Sequence, residues 1–309
     1  MISHPAQCFH AVTRNRDREH LALHIAEADG FAPSTSSAFR AKCLAQAWRV
    51  WNSGVACVAV ASLIFSVSAL FVKLTGNRVP VFEIVAVRSG LSWLISMVLA
   101  SLNDVKPVYG QRRHYPILAA RGLIGATAMT LSYEALKRLP LADAMTIFFT
   151  NPAMTVIAVW LVFGEPITWS SVVGCAASFA GVVLVAQPPF IFGGRAAVPW
   201  GHERMVGTCM GLAAAMTSAG AFTAIRSIKK SEPSLVVALW FHTFALVSST
   251  IPLAFGFPQH AVWPSPFDAG CMVGVALTSF FGQILINRGF QSETAAKVSA
   301  VNYTQEEWG

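Results

Sequence analysis

Eight stretches of this chain are long and apolar enough to cross a lipid bilayer. They lie near residues 54–73, 82–102, 116–134, 141–163, 168–186, 207–226, 235–255 and 270–288, and a ninth begins at about Ala295. The hydrocarbon interior offers no water to backbone N–H and C=O groups. A segment that enters it must be a helix or part of a closed barrel, and unbroken apolar runs of about 20 residues are helical. Composition agrees: 12% of the 309 residues are charged and 54% are hydrophobic, with mean hydropathy +0.55, whereas a soluble domain carries about 25% charged residues. The chain therefore reads as an all-α integral membrane protein, a bundle of about nine transmembrane helices. Soluble-enzyme, disordered, collagen-like and disulfide-framework classes are excluded.

Between the segments stand turn formers: Gly76-Asn77, Asn103-Asp104, Leu139-Pro140, Glu165-Pro166, Glu232-Pro233 and Pro264-Ser265-Pro266. Trp51, Trp160, Trp169 and Trp263 sit near segment ends, where indole favours the membrane interface. Six scattered cysteines form no C-x-x-C pair and read as small buried hydrophobes rather than disulfide or zinc ligands.

Charge placement sets domains and orientation. Residues 1–53 hold six Lys/Arg and four acids and no signal-peptide pattern, and read as a cytoplasmic tail, partly disordered. Its end, Phe39 to Trp51, has the apolar spacing of an interfacial helix, and disorder running into the first span is the alternative. With that tail inside, fourteen Lys/Arg fall on the cytoplasmic side and six on the other. The net charge of +7 is loop charge of this kind. No basic patch interleaved with aromatics indicates nucleic acid.

Shifting the chain by 153 or 154 residues lays segments one to four over segments six to nine. Lys73 meets Arg226, Pro80 meets Pro233, and Leu141 through Thr150 meets Ala295 through Thr304. Five spans separate the copies, and an odd number reverses orientation, so the halves read as inverted repeats with a site near the midplane between them. Residues 54–186 form the first repeat, 187–206 a linker and 207–309 an incomplete second repeat.

Ionisable or polar groups inside spans are the functional candidates. Arg88 lies about seven residues into the second span, and three roles suit it: contact to an anionic group, snorkelling, or pairing with another helix. Its repeat mate is Phe241 or His242, the latter a proton or substrate contact or an ordinary hydrogen-bonded histidine. Phe148, Phe149, Thr150, Asn151 and Pro152 on the fourth span face Asn302, Tyr303, Thr304 and Gln305 in the repeat, as pore lining or helix packing, and Tyr133 ends the third span nearby. Asp143, its mate Lys297, and the rim Glu134, Lys137 and Arg138 read chiefly as solvated loop charges. Gly207/Gly211, Gly270/Gly274, Gly174/Ser178 and Ala177/Gly181 mark helix packing, or a homodimer face. Catalytic motifs, metal clusters and cofactor fingerprints are absent, so no enzyme activity, metal or cofactor is expected.

The run Ala135-Leu136-Lys137-Arg138-Leu139-Pro140-Leu141-Ala142-Asp143-Ala144, the following span ending Phe163-Gly164-Glu165-Pro166, Gly174 to Val185, and Arg288-Gly289-Phe290 to Thr304-Gln305 carry a resemblance. Over about residues 54–305 the chain resembles an EamA-type member of the drug/metabolite transporter superfamily. The resemblance implies ten spans in two inverted five-span repeats, cytoplasmic termini, and a central cavity lined largely by the third, fourth, eighth and ninth spans. It further implies alternating-access transport of a small metabolite or drug-like solute. Where the family continues with apolar residues and a tenth span, this chain reads Gln305-Glu306-Glu307-Trp308-Gly309. Each of those two acids would cost about 2–3 kcal/mol inside a span, and truncation is the expected account. A non-transporting truncated scaffold or regulatory isoform is the alternative function. The expected substrate-binding residues are Arg88, Tyr133, Phe149, Thr150, Asn151, His242, Asn302 and Tyr303, and the expected partners are a small-molecule solute and the bilayer.

Overall fold

A computed structural model describes residues 51–148, 150–164, 167, 169–186, 201–256 and 259–293. Phe149, Asn302, Tyr303, residues 1–50 of the tail, most of the linker and the ninth segment lie outside the described residues. Helices cover every one of the eight apolar segments: α1 (Gly54–Leu74), α2 (Val81–Leu102), α3 (Tyr115–Arg138), α4 (Leu141–Phe148), α5 (Asn151–Phe163), α6 (Trp169–Ala186), α7 (His202–Ile228), α8 (Ser234–Ala254) and α9 (Pro266–Ser292). No strand occurs among the described residues. Six helical stretches are long and apolar enough to cross a membrane: α1, α2, α4 with α5 as Leu141–Phe163, α7, α8 and α9. The chain is thus a multi-pass membrane protein. α3 carries Arg121 in its second turn and is not one of the six.

Local chemistry sets the helix ends. Ser53 caps α1 through the Ala56 N–H at 3.2 Å, and Ser265 caps α9 through the Asp268 N–H at 3.1 Å. Pro80 and Pro233 occupy the same place before α2 and α8, with ψ of 146° and 143°. Proline has no N–H to leave unsatisfied, so each ends its loop and starts a helix without loss. α5 stops at Gly164, whose φ of 66° suits a residue without a Cβ. The fourth segment, expected as one helix with Pro152 in its interior, comprises α4, ending at Phe148, and α5, beginning at Asn151. Pro152 falls in the first turn of α5, where its missing N–H breaks no helical bond.

The closest helix partnerships are α3 with α7, α1 with α9, and α2 with α8, followed by α3 with α8, α5 with α7 and α2 with α9. Small residues permit this approach. A Cβ added at Gly207 or Gly211 would lie 2.8 Å from Leu139 or Ile147, and one at Gly274 would lie 2.9 Å from Phe71. These glycines, which the sequence offers for packing or for a homodimer face, are occupied by contacts within the chain, whereas Gly270, the partner of Gly274 in its G-x-x-x-G pair, faces open space. Leu63, Leu94, Leu102, Leu161 and Phe281 are more than half exposed and suit a lipid surface. Trp169 and Trp263, at 79% and 98% exposure, project where interfacial indoles belong.

Candidate functional site

The helices of the bundle line a partly open cavity of about 170 Å³. Arg88 of α2 and Arg121 of α3 both line it and are 2% and 1% exposed. Each guanidinium approaches the ring of Phe241 on α8, with Cζ 5.4 Å (Arg88) and 4.8 Å (Arg121) from the centroid, and Arg88 also stands 5.9 Å from the Tyr133 ring. Such contacts offset part of the cost of a buried cation. Arg121 is oriented by α9: its Nη2 donates to Gln283 Oε1 at 3.0 Å and Asn287 Oδ1 at 3.3 Å. Asn287 in turn donates to the Ser234 carbonyl at the start of α8, 3.3 Å away. Nε and Nη1 of both arginines have no hydrogen-bond partner among the described residues.

Of the expected site residues, Arg88, Tyr133 and Asn151 meet at this cavity. His242 is fully buried beside Phe241, ring centroids 5.2 Å apart, and does not line the cavity; neither of its ring nitrogens has a partner among the described residues. Thr150 is buried as well, and its hydroxyl donates to the Ile147 carbonyl at 2.7 Å, just before α5. Phe149, Asn302 and Tyr303 lie outside the described residues. Arg121, Gln283 and Phe241 are not among the expected site residues. Arg121 carries the same signal as Arg88, an ionisable residue well inside a span. Phe241 carries only its place as a repeat mate of Arg88, and Gln283 carries none, because a helix-borne Gln becomes a site residue only through its neighbours.

Two charged clasps close opposite ends of α3 and α9, helices of 24 and 27 residues and so about 36–40 Å long. At one end Arg78, after α1, donates to Asp268 at the start of α9, 2.8 Å away. This bond and the carboxylate's charge hold the Arg78 guanidinium above its ordinary pKa. At the other end Glu232, after α7, meets Nδ1 of His114 just before α3 at 2.6 Å, and accepts from the Gln111 N–H at 2.9 Å. The clasps match under the shift of 154 residues, Arg78 onto Glu232 and His114 onto Asp268, with the basic and acidic residue types exchanged. A second pair of ties follows the same shift. Lys137 donates to the Val79 carbonyl, and its mate Gln291 donates to the Glu232 carbonyl at 2.9 Å.

Beside the first clasp, the rim residues Glu134, Lys137 and Arg138 join Glu203 around a second, polar hollow. Arg138 pairs with Glu134 and, at 3.4 Å, with Glu203, and Asp143 pairs with Arg204 at 3.4 Å. Loop solvation thus accounts for these charges only in part, since they tie α3 and α4 to α7.

Residues 52–187 match the EamA-like transporter family. Human "Solute carrier family 35 member G1" is 29% identical over 248 residues, covering 78% of this chain and 66% of that protein. The "Pseudopaline exporter CntI" of Pseudomonas aeruginosa is 26% identical over 252 residues, 82% of this chain and 83% of the exporter. A probable transport protein of Saccharomyces cerevisiae is 23% identical over 244 residues, 74% of this chain and 69% of its own. The chain therefore spans about two thirds of the length of the human relative. One solved structure shares the fold, with a TM-score of 0.62 at 20% identity, over 81% of this chain and 83% of the other.

Proposed function

Because the chain is an EamA-type protein of the drug/metabolite transporter superfamily, we propose that it carries a small solute across a membrane by alternating access between two inverted repeats, 54–186 and 207 onward, joined by the linker. One observation carries this reading: a central cavity lies between two clasps that occupy repeat-equivalent positions at opposite ends of the bundle. An alternating-access carrier needs a site that opens to one face when the gate on that face parts and the other holds.

The helix partnerships support the two-fold relation. Exchanging the repeats turns α1 into α7, α2 into α8 and α3 into α9. The α3–α7 contact then becomes α9–α1, the α3–α8 contact becomes α9–α2, and α2–α8 maps onto itself, as at a pseudo-two-fold axis. The family match over 52–187 supports the first repeat as a unit. With the N-terminus in the cytoplasm, the Glu232–His114 clasp faces the cytoplasm and the Arg78–Asp268 clasp the opposite side. Arg88, Tyr133 and Asn151 contact the solute, with Phe149, Asn302 and Tyr303 assigned to the same path. His242 and Thr150 act from behind the lining, through Phe241 and the start of α5.

The test is solute counterflow in proteoliposomes against a broad metabolite panel. The wild type should exchange at least one solute, and Arg88→Ala and Tyr133→Ala should each reduce that exchange. Absence of flux for every solute overturns the carrier reading, and undiminished flux in both variants overturns the site assignment.

A further inference from the structure

Resting on the carrier reading, we propose that the cavity takes a small organic dianion, with one acidic group placed against each of Arg88 and Arg121. The charge balance of the lining carries this. Two fully buried guanidiniums line the cavity, and no Asp or Glu lines it among the described residues. An ionised group buried in a bundle is ordinarily paired with a charge of opposite sign, and one left uncompensated is strongly unfavourable. A neutral or cationic solute leaves both guanidiniums uncompensated and a monoanion leaves one, whereas a dianion answers both.

Geometry agrees with a single small molecule spanning the two. Both Cζ atoms approach the same Phe241 ring, so they lie no farther apart than the sum of 5.4 and 4.8 Å. Nη2 of Arg121 is held by Gln283 and Asn287, which orients the guanidinium while its Nε and Nη1 have no protein partner among the described residues. Guanidinium donors match carboxylate and phosphate-type oxygens closely. Much of the remaining lining is apolar, including Phe65, Met129, Phe222 and Ile286, which suits a carbon body between the acids and disfavours a bare inorganic ion.

The test uses the full chain in lipid nanodiscs, with thermal unfolding followed during titration by straight-chain diacids of four to six carbons, phthalate, the neutral diamide succinamide, inorganic phosphate and chloride. At least one diacid should raise the melting temperature saturably while succinamide does not. Arg88→Gln should weaken that diacid by at least about thirtyfold, the loss expected when one partner of a buried charge pair is removed. Arg121→Gln should do the same. Should that variant not fold, because Gln283 and Asn287 lose their partner, Arg121→Lys serves in its place and should weaken the diacid less than Arg88→Gln does. Three results would overturn the proposal: no diacid binding, diamide binding equal to diacid, or phosphate or chloride binding as tightly as any diacid. Proteoliposome flux separates this from the carrier reading. Diacid binding without flux of any solute refutes transport and leaves the anion site standing. Flux of a neutral or cationic solute without diacid binding refutes the anion site and leaves the carrier.

Discussion

Replacing Arg88 by methionine should make the ligand-free protein more stable. The Arg88 side chain is 2% exposed, its Nε and Nη1 have no hydrogen-bond partner among the described residues, and it shares the Phe241 ring with a second cation, Arg121. Placing a cation at the centre of a spanning helix costs about 2.5–3.5 kcal/mol on insertion scales. Its contacts with Phe241 and Tyr133, at 5.4 and 5.9 Å, lie near the outer limit for cation–π attraction and together return about 1–2 kcal/mol. Methionine keeps an unbranched apolar stem of similar reach, so little packing is lost. The balance is a gain of about 1 kcal/mol, or a rise of about 2 °C in melting temperature for a chain of this size. Tryptophan fluorescence during heating in nanodiscs without added anions measures it. A fall of several degrees would refute the reasoning. Breaking a buried ion pair destabilises by about 3–5 kcal/mol, and such a loss would mean that Arg88 already has a structural counter-charge.

Three other perturbations read different parts of the structure. Gly289→Ala would place its Cβ against Val58 and 2.9 Å from the Gly54 carbonyl at the α1–α9 contact; it should destabilise by about 1–3 kcal/mol, whereas Gly270→Ala, which meets nothing within 4 Å, should hold or raise the melting temperature, because alanine is favoured over glycine in a helix by up to about 1 kcal/mol. Gly125→Ala would drive its Cβ into the Arg121 guanidinium and to 3.0 Å from the Phe241 ring, and solute exchange should fall while the amount of folded protein on size-exclusion chromatography holds. Arg78→Gln removes the cation that Asp268 faces, and cavity cysteines, introduced singly on a cysteine-free background, should become more accessible to a membrane-impermeant maleimide from the Arg78 face. Glu232→Gln should raise accessibility from the opposite face, and the same response in both variants would contradict two separate gates.

Helix positions followed closely from the sequence because spanning length, missing charge and proline or glycine punctuation are local properties. Pro80 and Pro233 were visible as repeat mates, and each starts its helix in the same way. Arg88 stood out for being an ionisable residue inside a span, and it lies at the cavity. Thr150 and His242 stood out for similar reasons, yet neither lines the cavity: the Thr150 hydroxyl is spent on a local bond to the Ile147 carbonyl, and the ring of Phe241 stands beside His242. Such outcomes depend on helix rotation about its axis, which periodicity constrains weakly when nearly every face of a helix is apolar.

The sequence by itself determined that this chain lies in a membrane as a bundle of helices, because bilayer thickness and backbone hydrogen bonding leave few other solutions for such segments. Only the tertiary structure decided which charges meet. Arg78 and Asp268 are 190 residues apart and His114 and Glu232 are 118 apart, and nothing local to either residue names its partner. Tertiary packing also brought Arg121 to the same aromatic ring as Arg88 with no acid lining the cavity among the described residues. A residue's own position in a span sets the cost of its charge, but the neighbouring helices set whether that charge is answered, and here that distinction separates the structural ties at the ends of the bundle from the cations at its centre.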